Sequence, residues 1–379
     1  MAELAPNLSY HYWLLGINPE PDVNGTNTVL VKGSEFEHGK EIEFQDDEGH
    51  TGTATTKMSS YRSKAYSAPS FTDKTRYKEG WEDMWMLLLG SDDETEQHAV
   101  RKVAKNDEPT VFDYTFKVNS ANPQDPKFCT IYNGFAKTTH DAFLYENCLL
   151  NELEITFSNE EAMTYKPTFS ANFPQFNQQN PARVLPKTSV FTKTSDVSIY
   201  IAPYREQGYT EEEMLEFGVK YGCFIEGTLN VNNNVEDQPC AGDEFGTSTK
   251  VLGNREATFN LTLPWTSQTK KLEYQFMGGA DDATKVVADN DYKTVWIILE
   301  SDTITKESEG QTVPTNYKYK TVIKIPEINM TVANSPQGGS DAKQLELEGN
   351  IMENGTDSFI ETIITTDLPE LHMQPANSP

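Results

Sequence analysis

Basic residues, cysteine and long apolar runs are all scarce in this chain of 379 residues, and each scarcity removes a class of function. Lysine and arginine total 31 against 58 aspartates and glutamates, a formal charge of -27. The acids are spread along the sequence rather than gathered in a tail, so the surface repels phosphate and is not that of a nucleic-acid binder. The four cysteines, Cys129, Cys148, Cys223 and Cys240, lie far apart with no CxxC pair and no histidine cluster nearby. Neither a zinc site nor a dense disulfide framework follows; Cys223 and Cys240 could bridge in an oxidising setting, while scattered buried thiols are the plainer reading. No apolar run approaches the roughly 18 residues of a membrane helix. The N-terminal MAELAPNLSYHYWLLGINPE lacks a basic n-region and a small-residue cleavage site, so it reads as a first strand, not a signal peptide.

Catalytic patterns are missing too. His11, His38, His50, His98, His140 and His372 are isolated, and no HExxH, GxSxG, Walker-type or GxGxxG pattern occurs. No metal, cofactor or catalytic residue is expected. The acidic runs at 211–213 and 236–246 hold oxygen ligands without EF-hand spacing and read as solvated surface. Asn7, Asn24, Asn260, Asn329 and Asn354 open N-x-Ser/Thr sequons, two of them within expected strands.

What the chain does have is a repeated unit. In 60–92, SYRSKAYSAPSFTDKTRYKEGWEDMWMLLLGSDD, an alternating stretch leads into Trp81, Met84, Trp85 and Leu88 at i, i+3, i+4 and i+7, with Gly90 as the stop. That is strand, turn, amphipathic helix, glycine. In 249–279 the order returns: Phe259, Leu261 and Leu263 alternate, Pro264 breaks the strand, Thr266 or Ser267 caps a helix, and Leu272 and Phe276 precede Gly278 and Gly279. Flanking segments match in the same order: 9–17 with 196–203, 110–118 (TVFDYTFKV) with 293–301 (KTVWIILES), and 151–159 (NELEITFSN) with 326–334 (PEINMTVAN). Their offsets drift slowly from about 187 to about 175, as small loop differences in a duplicated domain would give.

Further strands are expected at 28–32, 41–44, 111–118, 128–135, 149–157, 344–349 and 359–365. The polar stretches 45–60 and 92–109 read as loops, the first as a long loop or extended arm. Residues 172–187 hold three prolines and a run of amides and read as a linker, dividing the chain into domains 1–178 and 179–379. The second carries a helical insertion at 209–217, with Thr210 as its cap, and a loose Pro-rich tail beyond Leu368. The fold expected is mainly β, with one short helix in each repeat.

The strand, GWEDMWMLLLG helix, paired strands and ENCLLNELEITFS, followed by a second copy with GTLNVNNNVEDQPCAGDEFGTSTKVLGNREATFNLTLPW and KYKTVIKIPEINMTVAN, resemble the tandem-domain tail tube proteins of tailed viruses with long non-contractile tails, the siphovirus type. The resemblance covers 57–365 and rests on order and spacing. It implies two tandem β-sandwich or half-barrel domains, each flanked by one helix, six of which side by side make a ring. A chain with two would close the ring as a trimer, and rings would stack head to tail through long loops such as 45–60. It further implies a place in the virion tail, tape-measure and tail terminator or tip proteins as partners, passage of double-stranded DNA without specific binding, and no membrane. An acidic wall suits such a conduit. The polar strand faces with Glu152, Glu154, Glu346 and Glu348 are candidates to line it, though any of the four could face outward.

Two other classes stand beside this reading. A carbohydrate-binding or adhesive protein would use Trp13, Trp81, Trp85, Trp265 and Trp296 to stack on sugars, although Trp81 and Trp85 belong to a helix face that should be buried. A hydrolase would need two acids about 5 to 10 Å apart in a cleft, which 58 acids can always supply.

Overall fold

Period-2 alternation of apolar and polar residues makes half-buried strands, and the computed structural model is built mostly from them. The structure describes residues 11–17, 28–31, 35–48, 57–90, 101–118, 128–135, 140–179, 190–238, 249–276, 292–308, 310–334, 344–353, 359–369 and 371. The first half contains β1 (His11–Ile17), β2 (Thr28–Val31), β3 (Glu35–Glu37), β4 (Lys40–Glu48), β5 (Lys57–Ser67), β6 (Ser70–Lys74), β7 (Arg76–Tyr77) and helix α1 (Trp81–Leu89). It continues with β8 (Arg101–Ala104), β9 (Phe112–Lys117), β10 (Phe128–Phe135), β11 (His140–Ser158), β12 (Thr164–Ser170) and β13 (Gln175–Gln179). The second half contains β14 (Val190–Phe191), β15 (Val197–Pro203), α2 (Glu211–Phe217), β16 (Val219–Tyr221), β17 (Glu226–Asn232), β18 (Val235–Gln238), β19 (Thr249–Leu252) and β20 (Glu256–Pro264). It ends with α3 (Ser267–Phe276), β21 (Lys293–Ser308), β22 (Gln311–Asn334), β23 (Gln344–Ile351) and β24 (Glu361–Thr366).

One pairing path occurs twice, always antiparallel. In the first half it runs β1, β10, β11, β12, β6, β3. In the second it runs β15, β21, β22, β23, β20, β17. The long strands β11 and β22 each pair with one neighbour along their first part and another along their second, and β13 and β24 flank the first parts. One expected match is corrected by this path. Residues 110–118 were aligned with 293–301, yet β9 pairs with β8 and β24, and the place equivalent to β21 belongs to β10. Alternation marks a strand without marking its neighbours, so the two segments agreed in type and not in position.

The halves also exchange strands: β17 pairs with β11, β9 with β24, and β14 with β7. Their apolar faces meet in one contiguous core that includes Trp81, Trp85, Phe157, Phe169, Phe259, Leu263, Ile297 and Ile323.

Both repeated helices are where the sequence puts them. The N–H of Gly90, at φ 84, bonds to the Met86 carbonyl at 3.0 Å and ends α1. Thr266 and Thr269 cap α3 reciprocally, each hydroxyl accepting the other's backbone N–H. Thr210 caps α2 with Glu213 completing the capping box. The one-sided burial expected of α1 is corrected: all nine residues are buried, Glu82 and Asp83 included. Strands of both halves surround it, and the Trp81 Nε1 donates 3.2 Å to Thr321 Oγ1 of β22.

Three segments read as irregular hold strands. β4 and β5 pair from Lys40–Ser67 to Glu48–Lys57, so both ends of 45–60 belong to a hairpin, with 49–56 outside the described residues. The strand expected at 41–44 is the first part of β4, whereas the parts of the hairpin within 45–60, QDDE and KMSS, carry no apolar alternation to mark them. β8 lies within 92–109, of which 92–100 are outside the described residues. β13 lies within the expected linker and pairs with β11, and 180–187 are outside the described residues. Of the tail, Leu371 is buried and 372–379 are outside the described residues. Cys129 and Cys148 are buried, unbridged and opposite each other on β10 and β11; Cys223 is exposed and Cys240 is outside the described residues.

Gly227 in β17 lies under Phe157 of β11, where an added Cβ would stand 2.2 Å from Cε2 and 2.5 Å from Cζ. Gly227→Ala should therefore cost about 1–3 kcal/mol by overpacking. Thermal unfolding followed by circular dichroism should show a lower Tm, with Thr228→Ala on the half-buried polar side leaving it within the range of ordinary surface changes.

Candidate functional site

The β11–β17 pairing joins the two halves into one eight-strand ribbon, β3-β6-β12-β11-β17-β20-β23-β22. Paired residues in a sheet share a face, so register tells which side chains lie together. One face is core: Leu153 stands opposite Val231 and Val231 opposite Ala257, all buried. The other face is Thr, Asn and Glu. Across it Glu154 pairs with Asn230, Asn230 with Thr258 and Thr258 with Asn350, while Thr156 pairs with Thr228, Thr228 with Asn260 and Asn260 with Glu348.

All four acids singled out from sequence, Glu152, Glu154, Glu346 and Glu348, lie on this polar face, two on β11 and two on β23. The structure brings four more to it: Glu35 and Glu37 on β3, Glu226 on β17 and Glu256 on β20. Their signal was the alternation in EFE, EGTLNVN and EATFNLTLP, visible only once the strand register is known. Lys74 and Lys166 are the lysines on the same face. Neutral donors reach the carboxylates: Asn230 Nδ2 donates 2.6 Å to Glu152 Oε1, Ser70 Oγ 3.3 Å to Glu37 Oε2 and Thr72 Oγ1 3.3 Å to Glu35 Oε2.

Elsewhere, charges are neutralised in pairs. A groove of about 490 Å³ over the first part of β22 is lined by Lys105, Lys318, Lys320 and Lys324 with Trp296 and Tyr317. There Lys105 meets Asp113, Lys318 meets Glu300 at 2.6 Å, Lys320 meets Glu211 and Lys324 meets Glu361 at 3.5 Å. Of the acidic run 211–213, Glu211 is thus in an ion pair, and Glu213 caps α2 and meets Arg205 at 3.0 Å. Helix-cap and guanidinium contacts hold the Glu213 carboxyl below its ordinary pKa. Among the described residues no group of His, Cys, Asp and Glu is arranged to hold a metal ion. Trp81, Trp85 and Trp296 are buried and Trp265 is half-buried, so no tryptophan with a described side chain lies open for stacking on a sugar.

The junction is pinned by Asn233, in the connection between β17 and β18. Buried, it donates to the carbonyls of Leu150 at 2.9 Å and Leu88 at 3.3 Å, and its Oδ1 accepts from Arg255 Nε at 2.9 Å. It therefore ties β11 and α1 of the first half to the strand connection of the second. Asn233→Ala leaves two buried carbonyls and a guanidinium without this partner and should cost about 1–3 kcal/mol. Chemical denaturation should give a lower midpoint for it, and a near-native one for Asn260→Ala on the exposed polar face.

A search of curated proteins finds no match. A family model described as phage tail tube protein matches residues 2–344. With nearly the whole length matched, the chain belongs to the phage tail tube protein family and is a structural protein of the virion tail.

Proposed function

We propose that three copies close into a ring, that rings stack into the tube of a long non-contractile tail, and that the polar face of the eight-strand ribbon lines the conduit through which double-stranded DNA leaves the capsid. The observation that carries this is the β11–β17 pairing, by which the second half continues the sheet of the first with the same face polar. The repeated strand path supports two tandem tube units, 1–178 and 179–379, in each chain. Three chains then supply six units with pseudo-sixfold symmetry.

The eight acids of the face repel phosphate over a Debye length of about 8–10 Å, so a genome passes without adhering. The β4–β5 hairpin is the arm that reaches the adjacent ring. Tape-measure and tail terminator or tip proteins are its further partners. The role is structural, without catalysis.

Negative-stain electron microscopy with light scattering on the concentrated protein should give stacked rings of three-chain mass. Six chains per ring would overturn the two-unit reading, and a monomer at every concentration in the presence of tail-tip complexes would overturn the tube. Reversing charge on the face, with Glu154→Lys and Glu348→Lys together, should leave ring assembly intact. At low salt the variant tubes should retain duplex DNA in a co-sedimentation assay, whereas wild-type tubes should not.

A further inference from the structure

We propose that Cys129 and Cys148 are an oxidation site, joined by hydrogen peroxide into a cross-strand disulfide that staples β10 to β11 once the tail has left reducing surroundings. The tube role uses neither thiol.

Register sets the pair. Cys129 stands directly opposite Cys148 on antiparallel strands, and residues so placed have Cα atoms about 4.5–5.5 Å apart. A disulfide spans about 4.4–6.8 Å between Cα atoms, so the bond needs no change of pairing. Both side chains are fully buried and belong to the same core, which puts the two sulfurs on one face of the sheet. A bulge beside the pair is responsible. From Ile131–Tyr145 to Cys129–Cys148, β10 advances two residues and β11 three, and Asn147 within the bulge takes φ 51. Without the extra residue Asn147 would stand opposite Cys129, and Cys148 would belong to the other face. Across the bulge Cys148 Sγ donates 3.3 Å to the Tyr145 carbonyl.

The thiols stay reduced through assembly because the site withholds the reactive form. Burial and the adjacent Cys148 sulfhydryl push the Cys129 thiol well above its ordinary pKa, and the thiolate is what attacks an oxidant. Reaction therefore waits for local opening. Cys129 is the second residue of β10 and stands opposite Ile17, the last residue of β1, so the pair lies where two strands end and fray. In an opened molecule one thiolate attacks the O–O bond of hydrogen peroxide, becomes a sulfenic acid and releases hydroxide. The second thiol attacks that sulfur; the S–S bond forms, the S–O bond breaks, and the oxygen leaves as water. Two thiols and one hydrogen peroxide thus give one disulfide and two waters, with two electrons passing from sulfur to oxygen. When the strands close again the bond is buried, and a reductant meets the same barrier that the peroxide did.

The test uses the full-length chain with C223S and C240S, which leaves the pair as its only thiols. Folded protein exposed to hydrogen peroxide and then denatured should take up no iodoacetamide. Its digest should contain one species joining the Cys129 and Cys148 peptides, which reduction separates, and the oxidised form should unfold several degrees above the reduced form. The natural chain, treated and digested in the same way, should give the same joined species, so the outcome does not depend on how well the serine variant folds. Two alkylatable thiols, after an exposure that oxidises the exposed Cys223 of the natural chain, would overturn the proposal. Separate sulfinic acids at the two positions, or a joined species formed only in unfolded protein, would overturn it as well.

Discussion

The pairing of β11 with β17 is the contact on which the remaining architecture depends. Seven residue pairs, Glu152–Asn232 through Ser158–Glu226, convert two separate sheets into one ribbon. Without it each half would end in an open edge. With it, the alternation of each strand is forced into one phase over all eight strands, because a slip of one residue would send Leu153, Ile155 and Phe157 to the polar side. Gly227 beneath Phe157 and Asn233 beyond the last pair fix that phase from the two ends of the contact.

The single phase explains the distribution of charge. A net charge of -27 says nothing of where the acids are. On the ribbon, eight carboxylates share a face with Lys74 and Lys166, and those of Glu35, Glu37, Glu152 and Glu154 accept from amides and hydroxyls. Over the first part of β22, lysines and acids meet one to one. Neutral partners leave a carboxylate's field intact, whereas an ion pair cancels most of it. The two arrangements divide the molecule into one surface that projects negative potential and another that projects little.

Much of this was legible in the sequence, for identifiable reasons. Glycine and threonine signals placed α1, α2 and α3 because caps are local. Alternation of Leu153, Ile155 and Phe157 with Glu152, Glu154 and Thr156 put the first pair of acids on a wet face, since a strand two residues long already defines its sides. Neighbours were harder. Nothing within 110–118 says that β9 belongs beside β24, some 250 residues away. The hairpin β4–β5 lacks an apolar rhythm over 45–48 and 57–60, and α1 buries Glu82 and Asp83, which a helical pattern would leave on the wet side. Glu35, Glu37, Glu226 and Glu256 were missed because membership of a face spanning eight strands is a property of register, which depends on all the strands at once.

The exchange of strands between halves has a consequence for the gene. β9 leaves the first half to extend the second half's sheet, β14 returns to β7, and Trp81 Nε1 reaches Thr321 across the boundary. Neither half retains a whole set of its own neighbours. Splitting the gene between them would yield two fragments that each lack a strand partner, so a lineage carrying this chain can vary its loops and its acids while its two halves stay joined.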